Sequence, residues 1–190
     1  FLFLFCFLST PLLSQIITID SHIDIPFDYM ENPQHDPGKI TDMQVDLAKM
    51  KKGGLDSGFF VVYVPQGPLD TESFEKAKLL AEKKFLAISK MTKTYPNQIG
   101  LALVPEDIIQ LKKNNLLSAA IGIENGYVIG EDLSLLDHYY SLGARYMTLT
   151  HIGHNQIADS SMPSKRLNDK EELHGGISAF GKKAIKRMNK

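Results

Sequence analysis

Cysteine occurs once in the 190 residues, as Cys6. A single thiol in an apolar leader closes no internal disulfide and completes no Cys-ligated zinc site. Once the leader is removed, it leaves no thiol nucleophile. Any metal must therefore be held by His, Asp and Glu, and six His are present. An excess of one charge sign is also lacking: 21 Lys plus Arg against 22 Asp plus Glu give a formal net charge of −1. No global field draws the chain to nucleic acid or anionic lipid, and no nucleic-acid partner is expected. There is no G-x-G-x-x-G and no Walker loop, so nucleotide-binding forms of an α/β architecture lose support.

What is present begins with an uncharged apolar run, FLFLFCFLSTPLL, over residues 1–13. It falls short of the about 20 residues that span a bilayer and resembles a signal-peptide core, so residues 1–14 read as an export signal without its basic start. Cleavage near Ser14 places a small residue before the cut, with Pro11 instead of the usual Ala three positions earlier. A membrane anchor and a buried first strand are the alternatives. Cys6 follows Phe3, Leu4 and Phe5, without the small residues of a bacterial lipoprotein site. The expected location is secreted or periplasmic, with membrane association undetermined. At the other end, FGKKAIKRMNK over residues 180–190 puts Phe180, Ala184, Ile185 and Met188 on one helical face and the basic residues largely on the other. The lysine group reads as a solvated face, the alternative being a phosphate patch. The missing Met and the helix without a Gly or Pro stop suggest a fragment of a longer protein.

Between these ends, strands and helices alternate. Residues 16–24 form a β-branched first strand. Thr41 and Gln44 stand at capping-box spacing ahead of Val45, Leu47, Ala48 and Met50, and Gly53-Gly54 ends that helix. Residues 58–64 (GFFVVYV) have the unbroken apolar character of a parallel strand covered on both faces. Asp70 or Thr71 caps a long helix whose Phe74, Ala77, Ala81, Phe85, Ile88, Met91 and Tyr95 recur three or four apart. A short segment at 101–104, a helix over 105–114, a third strand over 118–123, a helix over 132–142 and a fourth strand over 145–150 follow. Four strands alternating with helices, with no two-residue hairpin signal, predict a parallel α/β sheet. Such a sheet is either small and open or about half of a (β/α)8 barrel, which needs about 250 residues. The uncapped last helix favours the half-barrel.

The polar residues that need a reason gather at strand ends. His22 and Asp24, two apart at the end of the first strand, leave the same face as a chelating pair. Glu124 closes the third strand and His151 the fourth, at the end of the sheet where barrel enzymes place their sites. Neutral imidazole with carboxylate suits zinc and related divalent ions. Each residue has a plainer alternative: a hydrogen-bonded strand end for His22 and Asp24, a cap or salt-bridge partner for Glu124, a supporting donor for His151. Three such residues ending three parallel strands favour a joint site over coincidence. His154 is expected in solvent, and His35, His138 and His174 lie on loops or helix surfaces.

Taken in order, residues 20–26 (DSHIDIP), 58–65 (GFFVVYVP), 122–126 (GIENG), 142–155 (LGARYMTLTHIGHN), 157–160 (IADS) and 175–189 (GGISAFGKKAIKRMN) resemble the N-terminal half of the membrane (renal) dipeptidase family of zinc peptidases. The resemblance covers nearly everything after the leader. It implies the N-terminal portion, about four βα units, of a (β/α)8 barrel, with residues 15–190 the first half of a metallodipeptidase. It further implies two zinc ions (Zn2+) bridged by a carboxylate and a water or hydroxide, and hydrolysis of the single peptide bond of a dipeptide. On this reading His22 and Asp24 hold the first zinc, Glu124 bridges both, His151 contacts the substrate and the oxyanion, and Tyr63 and Phe27 line the cleft. The remaining ligands and the acid/base group fall beyond Lys190, so the fragment alone is expected to be inactive, and a homodimer is left open. Ile23 stands where the family commonly has Asn, and Asn125 where it has Gly. The Asn125 side chain is expected to narrow the approach to Glu124, while Ile23 points away. The alternatives are another barrel metallohydrolase acting on amides or esters, and a non-catalytic homologue serving as a binding or scaffold protein.

Overall fold

The computed structural model describes residues 16–190; the export signal read at residues 1–14 lies outside them. Strands β1 (Ile19–Asp24), β2 (Ser57–Tyr63), β3 (Ile99–Leu101), β4 (Leu117–Glu124) and β5 (Ala144–Met147) are interleaved with helices α1 (Leu47–Gly53), α2 (Thr71–Thr94), α3 (Pro105–Lys113), α4 (Ser134–Ser141) and α5 (Ala179–Met188). All strand pairs are parallel. Parallel neighbours need long crossovers, which the helices supply, so the α/β alternation read from the sequence is the architecture seen.

The sheet has five strands, one more than expected. Its extra member is β3, which begins two residues ahead of the short 101–104 segment and overlaps it at Leu101. β2 fills one edge of β4 from Ser118 to Glu124. On the other edge β3 pairs with Leu117 to Ala119 and β5 with Ile121 to Ile123, one after the other. β1, β2, β4 and β5 are thus the four units read from the sequence.

β2 and β4 are buried along almost their whole length, and Phe60, Val62, Ile121 and Ile123 pack with the α2 stripe Ala77, Ala81, Phe85, Ile88 and Met91. Each large side chain so covered contributes about 1.5–3 kcal/mol. The start of α2 follows its sequence: Asp70 accepts from the backbone N–H of Ser73 at 2.8 Å. The start of α1 does not. Asp46 is its N-cap, accepting from Lys49 N at 2.8 Å, and the Thr41 hydroxyl instead donates to Asp46 Oδ2 at 3.2 Å. A carboxylate five residues on outcompeted the Thr41–Gln44 box, and the helix begins only at Leu47. It ends as expected on Gly54, whose φ of 71° is the left-handed region glycine favours.

β5 is shorter than the strand read over 145–150. After Met147 the chain turns to the end of β4, where the Thr148 hydroxyl accepts from Asn125 N at 2.9 Å. Among the described residues no helix is long and apolar enough to cross a membrane.

Candidate metal centre

β1 and β4 flank β2, and the ladder sets Asp24 beside Val61 and Glu124 beside Tyr63. That register brings the ends of β1 and β4 to one end of the sheet. β1 carries a register shift between Asp20 and Ile23, and His22 N donates to Asp20 Oδ1 at 2.9 Å within it. Beyond the shift Ile23 is buried on the helix side, while His22 and Asp24 face the open side. His22 Nε2 lies 3.8 Å from Asp24 Oδ1 and 3.3 Å from Glu124 Oε2. One ligand atom from each of the three residues falls within 4.8 Å of the others.

His151 stands in the loop after β5, not on the strand itself. Its Nε2 is 3.4 Å from Glu124 Oε1, so the two carboxylate oxygens of Glu124 face two different imidazoles. On its other side Tyr63 Oη is 3.5 Å from His151 Nδ1, with the rings 4.9 Å apart edge to face. Burial, and then the charges of Glu124 and Asp24, push the Tyr63 hydroxyl above its ordinary range, so it stays a donor. Phe27 is 40% exposed at the exit of β1. It meets the others through Lys84, whose Nζ sits 4.6 Å from the Phe27 ring centroid and 6.0 Å from that of Tyr63.

Two residues that matter here were not singled out from the sequence. Tyr146 on β5 crosses the open side of the sheet: its hydroxyl donates to Ser21 O at 3.0 Å and lies 3.4 Å from His22 Nδ1. Its signal was the alternation of β5, which directs Tyr146 to the face of Glu124. Lys84 was hidden by its charge, although its spacing from Ala81 and Ile88 puts it on the buried stripe of α2. Its burial lowers the ammonium pKa to about 8, against the opposing pull of Asp24 and Glu124.

Two expectations change. Asn125 does not narrow the approach to Glu124: it is 0% exposed and turned away from the opening. Its Nδ2 donates to Val64 O (3.2 Å) and Gln66 Oε1 (3.3 Å), and its Oδ1 accepts from Asn155 Nδ2 (3.1 Å). Its φ of 77° is the positive region that Gly or Asn tolerates. His154 is not in solvent either. It is 3% exposed, with Nδ1 accepting from Ser160 N at 3.0 Å and Nε2 donating to Lys170 O at 2.9 Å, a fixed neutral tautomer inside the loop. His35, His138 and His174 lie elsewhere, engaged with Asp28, Glu82 and the Asn155 carbonyl.

One imidazole and two carboxylates are the number and kind of protein ligands that a catalytic zinc takes. Among the described residues no Lys or Arg forms an ion pair with Asp24 or Glu124; their charged-group partners are His22 and His151. Two carboxylates without a paired side-chain cation fit a divalent ion.

The model of the family described as membrane dipeptidase (peptidase family M19) matches residues 9–190. The dipeptidase aclJ of Aspergillus oryzae is 30% identical over 155 residues, 77% of this chain and 34% of its own length. The dipeptidase verJ of Clonostachys rogersoniana is 25% identical over 191 residues, covering 94% and 47%. The crystal structure of the probable dipeptidase PvdM from Pseudomonas aeruginosa superposes with a TM-score of 0.85 at 30% identity, over 93% of this chain and 45% of that one. The chain therefore spans less than half the length of each of these relatives, and its βα units are a partial portion of their barrel. By its sequence and its fold, this chain belongs to the membrane dipeptidase family, peptidase family M19.

Proposed function

We propose that the complete protein is a zinc-dependent dipeptidase that hydrolyses the single peptide bond of a dipeptide, and that this chain supplies the first half of its site. The observation that carries the reading is the convergence of His22, Asp24 and Glu124, with ligand atoms within 4.8 Å, in a chain of a dipeptidase family. His22 and Asp24 would hold one ion. Glu124, whose Oε2 faces His22, would join them as a ligand and, as the family resemblance implies, would be shared with a second ion. When bound, the divalent ions lower the pKa of a shared water and polarise the scissile carbonyl.

The chain's own residues do the positioning. Tyr63, its Oη 3.5 Å from Nδ1 of His151, would donate its hydroxyl proton there, an arrangement that would leave the imidazole proton on Nε2. That N–H lies 3.4 Å from Glu124 Oε1, and beside the proposed metal site it would serve as a donor to the carbonyl oxygen of a bound dipeptide, where it would stabilise the tetrahedral oxyanion. Phe27 and Tyr63 would bound the space for the substrate side chains. The apolar leader makes secretion or a periplasmic location part of the proposal, with the mature amino terminus near Gln15 as its test.

The function is tested on the full-length protein by elemental analysis and a panel of dipeptides. Two zinc ions per chain and dipeptide turnover are expected, with His22→Ala and Glu124→Ala each losing metal. Absence of any divalent metal would overturn the metal site. Metal without dipeptide turnover would redirect the reading to another amide or ester substrate, or to a binding protein that has kept the barrel.

A further inference from the structure

Beyond Asp24 the chain runs through residues 25–31 with no strand partner, and α2 grips this segment from one side. Lys84 Nζ donates to Ile25 O at 2.7 Å, Lys90 Nζ donates to Met30 O at 2.8 Å, and Lys83 Nζ pairs with Glu31 at 2.9 Å. Tyr29 adds a hydroxyl contact of 3.2 Å to Met91 Sδ. Lys83 and Lys90 reach the segment from exposed positions, and Lys84 does so from the interior, at 3% exposure.

A buried lysine needs a reason. Lysine is almost never fully buried unless paired, and an ammonium removed from water without a carboxylate partner is costly. An apolar side chain at position 84 would continue the stripe of Ala81, Phe85 and Ile88 without that cost. Among the described residues, the ammonium makes its one hydrogen bond to the carbonyl immediately after the proposed ligand Asp24, and otherwise faces the rings of Phe27 and Tyr63.

We infer that Lys84 is a positioning residue for the metal site, a buried clasp that fixes the exit of β1 against α2 and so holds Asp24 in register with His22 and Glu124. The inference rests on the metallopeptidase reading for its consequence, but the clasp itself is a property of this chain. It makes a prediction whose sign separates it from simple electrostatics. As a like charge near the site, Lys84 opposes a divalent ion, so removing it should tighten binding. As a clasp it presets the ligands, so removing it should weaken binding, on the scale seen when residues supporting metal ligands are lost, roughly 10-fold or more.

The experiment uses the full-length protein and Lys84→Met, which keeps an unbranched side chain of similar volume. Zinc affinity is measured by competition with a chromogenic chelator, and amide hydrogen exchange is followed at Tyr29 and Met30, with Val61 and Ile121 as core references. The expected result is zinc affinity lower by about 10-fold, with faster exchange at Tyr29 and Met30 and unchanged exchange at Val61 and Ile121. Unchanged or tighter zinc binding would overturn the inference, whatever the loop does. So would exchange that rises equally at the core references, because Lys84 would then be a general core residue. If the wild-type protein binds no zinc, the metallopeptidase reading fails separately. The exchange arm then decides alone: unchanged exchange at Tyr29 and Met30 removes the clasp as well, and selective loss of protection there keeps it.

Discussion

A methyl group added at Gly122 would lie 2.1 Å from Cζ of Tyr146. That ring lies across Gly122 because its hydroxyl must reach Ser21 O, and its other neighbour is Phe59, at a centroid distance of 5.1 Å. Gly122→Ala is therefore expected to destabilise by about 1–3 kcal/mol, the cost of overpacking a filled site. It should also weaken zinc binding, since the displaced hydroxyl lies 3.4 Å from His22 Nδ1. Denaturant unfolding and chelator competition on the full-length protein would check both, and an alanine variant as stable as the wild type would show that the ring relaxes freely. On the proposed reading, His151 should bear on turnover and not on metal retention. Because the proposed role is donation to the oxyanion, His151→Ala should keep its divalent ions and lose roughly 10²-fold in kcat. Loss of zinc from that variant would instead make His151 a ligand.

At the scale of elements, the loop from His151 to the start of α5 has little regular structure and is organised by buried polar groups. Asp159 accepts from the N–H groups of Leu173 (3.0 Å), His174 (3.0 Å) and Gly176 (2.8 Å). These bonds, the one from Gly176 foremost, hold its carboxyl at about 2, below the ordinary 3.8. A depressed carboxylate stabilises the folded loop fully above its unfolded value and loses that contribution as pH falls through the folded one. The loop should therefore stay ordered down to about pH 4 and loosen between 3.8 and about 2. Amide shifts of Leu173, His174 and Gly176 followed against pH would show it, and Asp159→Asn should abolish the transition. A midpoint at or above 3.8 would remove the argument. Legibility in the sequence divides along the same line between local and distant causes. α2, β2 and β4 were readable because a cap, a 3.6-residue stripe and unbroken apolar runs are local signals. The sharing of one β4 edge by β3 and β5 was not, since it depends on register between segments far apart in the chain. His22, Asp24 and Glu124 were readable as strand-end polar residues. Lys84 and Asn125 were not: a lysine on an apolar stripe reads as an interruption, and nothing local says that an asparagine beside Glu124 turns inward to Val64 and Asn155.

In the whole molecule, three strands have an unpaired side among the described residues: β1 pairs only with β2, and β3 and β5 each pair only with β4. Beside β5 a cleft of about 680 Å³ opens, with Ile123, Tyr139, Ala144 and Met147 on its apolar wall and Arg145 and Arg187 among its charged lining. The open side of the sheet meanwhile leaves His22 and Asp24 exposed. Open edges of parallel strands template further pairing, and the uncovered apolar wall of the cleft adds to the drive for association. Residues 15–190 expressed alone are therefore expected to form dimers or larger aggregates and to bind a hydrophobic dye, without a cooperative thermal transition. The three ligands present belong to the first proposed ion, so zinc binding by this piece should be at most one ion and weak, with no dipeptide turnover. Sizing chromatography, thermal unfolding and a dipeptide assay with added zinc would check this directly. A compact monomer that melts cooperatively and turns over a dipeptide would show that four parallel units hold their edges closed and assemble a working site unaided.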